Sequence, residues 1–121
     1  MFSQTLRILF ASALLIHGVG HISGFWMPTS SRLDPNRSKF LARVVSNIFW
    51  IVSAVGFITA MLGFLDILIP TNWWQPISIG AVCISILGLS LFGKKWARFN
   101  SMGALTMNFA IITVIAFQMM N

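Results

Sequence analysis

Two histidines, His17 and His21, are the residues of this chain best suited to chemistry, and they lie four positions apart inside an apolar stretch. In a helix, residues at this spacing share one face and are separated by about 6 Å along the axis. A neutral imidazole donates one hydrogen bond and accepts another, and it titrates near physiological pH. The pair is therefore a candidate for ligand binding, for proton transfer, or for hydrogen bonds that hold helices together. Gly18 and Gly20 beside the histidines would let a neighbouring helix or a flat ligand approach closely.

The scarcity of carboxylates limits what the two histidines can bind. The chain has no glutamate, and its two aspartates are Asp34 and Asp66. A zinc site needs three or four protein ligands, so no metal site is predicted within one chain. Haem with two histidine ligands would need a second protomer, because both histidines lie on one helix face. No cofactor is predicted, and quinone or haem remains an alternative.

The composition places these residues in a membrane protein. Of the 121 residues, 57% are hydrophobic and 8% are charged, whereas about 25% of a soluble domain is charged. A membrane-spanning helix needs about 20 apolar residues, so the chain has room for four or five spans. A transmembrane β-barrel is not expected, because the apolar runs are long and lack strict alternation.

Four apolar segments define the expected architecture, with spans at about 6–27, 44–69, 73–92 and 102–120. Short connections make successive helices antiparallel neighbours. The sequence therefore predicts an all-α membrane protein, an up-down-up-down four-transmembrane-helix bundle in which residues 1–121 form a single integral membrane domain. The one cysteine, Cys83, cannot form an internal disulfide and is expected to be a small buried residue.

The basic residues predict how the bundle is oriented. Seven of the eight lysines and arginines flank or fill the loops 28–43 and 93–101, and Arg7 alone lies on the opposite side. The positive-inside rule places both loops in the cytoplasm and both termini outside, in a multi-pass membrane protein. The net charge of +6 is thus attributed to these loops, and no nucleic-acid partner is predicted. Four of the five tryptophans lie at span ends, where indole rings favour the interface, and Trp50 is the exception.

Two further pairings follow from depth in the membrane. Asn108 falls close to the depth of His17, so these side chains can form a hydrogen bond if the first and fourth helices touch. Arg7 and Asp66 both fall near the outer rim and are expected to form an ion pair there. Because neither histidine has a deep carboxylate beside it, the pattern is not typical of a proton-coupled transporter.

The first helix resembles that of the DoxX-like group of small bacterial four-helix membrane proteins. The similarity consists of the length, the four spans, and a motif that here reads His17-Gly18, then His21, then Gly24-Phe25. The typical motif has a lysine where this chain has His21. The resemblance implies a setting of quinone-linked or redox-related membrane complexes, but it transfers no catalytic residue.

Three functional hypotheses remain open. The first is an accessory or structural membrane protein that packs against partners or holds an apolar ligand near His17 and His21, with Asn108 as a further candidate ligand-binding residue. The second is a quinone-linked redox subunit, and the third is a small transporter. The sequence favours a protein without catalytic activity of its own. The expected partners are the lipid bilayer and either other membrane subunits or further copies of the chain.

Overall fold

The computed structural model describes residues 3–25, 37–92 and 98–120, which form four α-helices. The helices are α1 (Gln4–Phe25), α2 (Arg37–Phe64), α3 (Trp74–Phe92) and α4 (Arg98–Met120), and a short 3-10 helix (Thr71–Trp73) precedes α3. All four are long and apolar enough to cross a membrane. The prediction of an all-α four-helix bundle is confirmed.

Each helix packs against its neighbours in the sequence, and α1 also meets α4. The start of α1 contacts the end of α2, the end of α2 contacts the start of α3, and the start of α3 contacts the end of α4. The short connection between α2 and α3 is compatible with this arrangement. The contacts that set this register join Arg7 to Phe64, Gly18 to Ala54, Gly56 to Ala81, Gly63 to Trp74, Ser85 to Asn108 and Gln75 to Gln118.

An apolar core fills the half of the bundle that holds Arg7. Three aromatic rings, Phe10, Phe64 and Trp74, meet there with centroids 5.0 to 5.8 Å apart in edge-to-face geometry, which favours aromatic contact. Trp74 is buried, whereas its neighbour Trp73 is exposed. Of these two tryptophans, only Trp73 has the exposure expected of an interfacial residue.

Helix α2 ends at Phe64, five residues before the end of the span expected from hydropathy. The helix end has the hydrogen bonds of a Schellman motif: Ile67 N donates to Leu62 O at 2.8 Å and Asp66 N donates to Gly63 O at 3.1 Å. Asp66 takes the left-handed conformation that this cap requires, with φ of 59°. Apolar residues therefore continue past the helix into a turn that hydropathy alone does not separate from the span.

Helix α2 begins earlier than expected, at Arg37, so basic residues assigned to the first loop belong to a helix. Arg37, Lys39 and Arg43 lie in the first two turns of α2, and Arg98 begins α4. Residues 26–36 and 93–97, with the other loop bases and Asp34, lie outside the described part of the chain.

The outward faces of the helices are apolar, as contact with a lipid bilayer requires. Ile8, Leu87 and Phe109 are examples, each more than half exposed on α1, α3 and α4. Cys83 is also exposed, on the outward face of α3, so the expectation that it is buried is wrong. A small apolar residue is as compatible with a lipid-facing position as with a core, and hydropathy does not distinguish the two.

Candidate functional site

The first histidine joins α1 to α4 in the middle of the bundle. His17 Nε2 lies 2.8 Å from Asn108 Oδ1. A side-chain amide oxygen accepts hydrogen bonds and does not donate them, so His17 Nε2 carries the proton in this arrangement. Helices α1 and α4 do touch, and they bring together the two residues whose similar depth suggested the contact.

The second histidine is connected to the same asparagine through a serine of α3. Asn108 Nδ2 donates to Ser85 Oγ at 2.8 Å, and Ser85 Oγ lies 2.9 Å from His21 Nε2. With the amide proton on one side of Ser85, the hydroxyl proton is available for His21 Nε2, which then accepts. We call His17, Asn108, Ser85 and His21 the polar network. It begins and ends on α1 and passes through α4 and α3.

The polar network is buried. His17 is 6% exposed, His21 is 1% exposed, and Ser85 and Asn108 are fully buried. A polar group without a partner is costly away from water, and more so within a lipid bilayer. The three hydrogen bonds within the network reduce this cost, and they can form only when α1, α3 and α4 are correctly placed.

Helix α2 faces the histidines with aromatic rings. The His17 ring centroid lies 4.4 Å from that of Phe57. The His21 ring is nearly parallel to both Trp50 and Phe57, at centroid distances of 5.5 and 5.7 Å. Trp50 is buried here rather than at a membrane interface, which explains its unusual position in the sequence. These aromatic contacts from α2 help to fix the orientation of both imidazoles.

One glycine beside the histidines allows this close packing. A Cβ on Gly18 would lie 3.1 Å from the backbone oxygen of Ala54 and 3.3 Å from Cβ of Phe57. A Cβ on Gly20 would meet nothing within 4 Å. Gly18 therefore has the role that the sequence suggested for both glycines, and Gly20 faces open space.

The expected ion pair between Arg7 and Asp66 is not formed in the described part of the chain. Arg7 Nη2 instead donates to Phe64 O at 3.4 Å, and its guanidinium lies 6.0 Å from the centre of the Phe64 ring. Asp66 is exposed beyond the end of α2. The early helix end carries the carboxylate out of the helical register in which it would have faced Arg7.

Ser85 is the member of the polar network that the sequence did not single out. Serines in membrane helices commonly bond to their own backbone, and Ser90 does so with Ile86 O at 2.8 Å. Among the described residues, the hydroxyls of two other buried serines, Ser53 and Ser78, have no hydrogen-bond partner. The spacing of the serines could have indicated this role, because Ser78 and Ser85 lie seven residues apart and thus on one face of α3.

The described residues contain no group of three histidine, cysteine, aspartate or glutamate side chains that could hold a metal ion. No family model, curated protein or solved structure matches the chain. The DoxX-like resemblance therefore stays a prediction.

Proposed function

We infer that the chain is an accessory membrane protein in which the two histidines hold the bundle together rather than react. The supporting observation is that hydrogen bonds link the polar network internally, from one histidine to the other. Three hydrogen bonds of 2.8 to 2.9 Å link two imidazoles, an amide and a hydroxyl, all inside the protein. An incoming ligand that bonds to His17 Nε2 or His21 Nε2 would have to replace one of these hydrogen bonds.

A second candidate function is the binding of an apolar ligand with a polar head, such as a quinone. One observation favours it: His17 is the most exposed member of the polar network, at 6%, and it lies at the interface between α1 and α4, which is smaller than the interfaces between successive helices. A ligand entering from the lipid between these helices would meet His17 and Asn108 first. In the redox form of this hypothesis, the histidines would be hydrogen-bond donors or proton carriers for the quinone.

Purification from native membranes, followed by an optical spectrum and mass spectrometry of extracted lipids, separates the two functions. We expect no stoichiometric quinone or haem, and we expect His17→Ala and His21→Ala each to lower the stability of the bundle. Asn100→Ala is the control, because Asn100 is exposed on α4 outside the polar network. A bound quinone or haem that both histidine variants lose while folding normally would overturn the structural role and establish the second function.

A transport function finds less support in the arrangement of buried polar groups. Ser78 is the buried polar residue of α3 that lies away from the polar network, and the apolar residues Ala81 and Val82 separate it from Ser85. Seven residues of helix correspond to about 10 Å. A continuous path of polar side chains through the bundle is therefore interrupted at the level of Ala81 and Val82.

We propose the membrane of the protein from the DoxX-like resemblance and its orientation from the basic residues. We place the chain in the bacterial inner membrane with both termini outside and the segments 28–43 and 93–101 on the cytoplasmic side. As partners we propose lipid on the outward faces, together with other membrane subunits or further copies of the chain.

A further inference from the structure

The turn between α2 and α3 is unusually apolar for a surface connection. Four of its six residues, at positions 65–70, are leucine or isoleucine. Leu68 is 91% exposed and Ile67 is 48% exposed. In water, both side chains would leave apolar area unburied, at a cost in free energy.

The backbone directs Leu68 outward at a further cost. The cap of α2 is complete at Ile67, yet Leu68 also takes the left-handed conformation, with φ of 65°. Leucine rarely adopts this conformation because its Cβ crowds the backbone, whereas aspartate, as at Asp66, tolerates it better. A strained backbone that exposes a large apolar side chain suggests that this side chain has an apolar environment outside the chain.

The lengths of the flanking helices place the turn at the edge of the hydrocarbon layer. From Arg43 to Phe64, α2 extends about 31 Å at 1.5 Å per residue, close to the hydrocarbon thickness of about 30 Å. Helix α3 has 19 residues and a length of about 28 Å. With the basic end of α2 at one boundary, the turn begins at the other. Trp73, which follows the turn, is 55% exposed and suits the headgroup level.

We propose that the turn at residues 65–70 is a lipid anchor, in which Leu68 and Ile67 insert into the acyl-chain boundary of the leaflet on that side. The apolar side chains favour lipid over water as the environment of the turn. Lipid is also favoured over a protein partner, because the turn is continuous with the lipid-facing surfaces of α2 and α3. The exposed carboxylate of Asp66 remains at the headgroup level. This contact is separate from the polar network and does not depend on what the histidines do.

Spin labelling in defined vesicles tests the anchor. With Cys83→Ala removing the native thiol, a nitroxide is attached to Leu68→Cys or, as the matched control, to Asn72→Cys in the exposed 3-10 helix. The purified full chain is reconstituted into vesicles of equimolar phosphatidylcholine and phosphatidylglycerol. Collision of the label with oxygen, which concentrates in lipid, is compared with collision with a water-soluble nickel chelate. We expect an oxygen-to-nickel accessibility ratio severalfold higher at position 68 than at position 72.

Two results would overturn the anchor. A label at position 68 that collides with nickel as readily as the label at position 72 would place the turn in water. A label shielded from both reagents would show that protein covers the turn, and spin–spin broadening would identify that protein as a second copy. If Leu68→Cys does not fold, a label on Ile67→Cys is judged by the same ratio.

Discussion

Replacing Ser85 with alanine tests whether the polar network stabilises the bundle. The variant loses two hydrogen bonds, at 2.8 Å to Asn108 and 2.9 Å to His21. Side-chain hydrogen bonds between membrane helices average about 0.6 kcal/mol each and reach about 1.7 kcal/mol. Two such bonds give about 1.2 kcal/mol, and the polar groups that lose Ser85 raise the expected loss of unfolding free energy to about 1–3 kcal/mol.

Ser78→Ala is the matched control for this substitution. Ser78 lies on the same helix and is equally buried, but its hydroxyl has no hydrogen-bond partner within the described part of the chain. Removing that hydroxyl breaks no bond, and alanine has the higher helix propensity by roughly 0.5 kcal/mol. We therefore expect Ser78→Ala to leave the unfolding free energy unchanged or slightly raised.

The assay is reversible unfolding in mixed micelles, with the fraction of sodium dodecyl sulfate as the denaturing variable. Helical circular dichroism reports the transition, and Trp50, stacked on His21, provides a fluorescence signal close to the polar network. If Ser85→Ala and Ser78→Ala shift the transition equally, the hydrogen bonds add nothing beyond the burial of a hydroxyl, and the reasoning is refuted.

Two further predictions concern helix packing and orientation. Gly18→Ala should destabilise the bundle by about 1–3 kcal/mol because its Cβ would press on the Ala54 backbone, whereas Gly20→Ala should be neutral or stabilising by up to about 1 kcal/mol. The same unfolding assay compares them, and equal losses would contradict the role given to Gly18. A reporter enzyme that works only outside the cytoplasm should be active when fused after Asn121, while cytoplasmic activity of the complementary reporter would reverse the proposed orientation.

The sequence predicted the fold because hydropathy alone determines that four long apolar segments become helices. It also predicted the contact between His17 and Asn108, since depth follows from counting residues along each helix. Both inferences use the helical rise and the boundaries of the spans, and the second also required that the first and fourth helices touch. Neither depends on how individual side chains pack.

The parts that the sequence did not predict depend on tertiary packing or on local helix ends. Ser85 was not separable from serines that bond to their own helix, because its role depends on where α4 places Asn108. The ion pair of Arg7 and Asp66 was expected from a helix continuing to position 69. The Schellman cap ended the helix at Phe64, and hydropathy contains no information about that cap.

The way Asn108 divides its hydrogen bonds has a consequence for biogenesis. Its oxygen bonds to α1 and its nitrogen to α3, and it lies on α4, which the ribosome makes after both. The amide therefore has no complete set of these partners until the three earlier helices have been inserted and packed. A chain that fails to assemble would present an unsatisfied amide and two imidazoles to lipid, where unpaired polar groups are costly, so the last helix to be made is the one that completes the hydrogen bonding of the others.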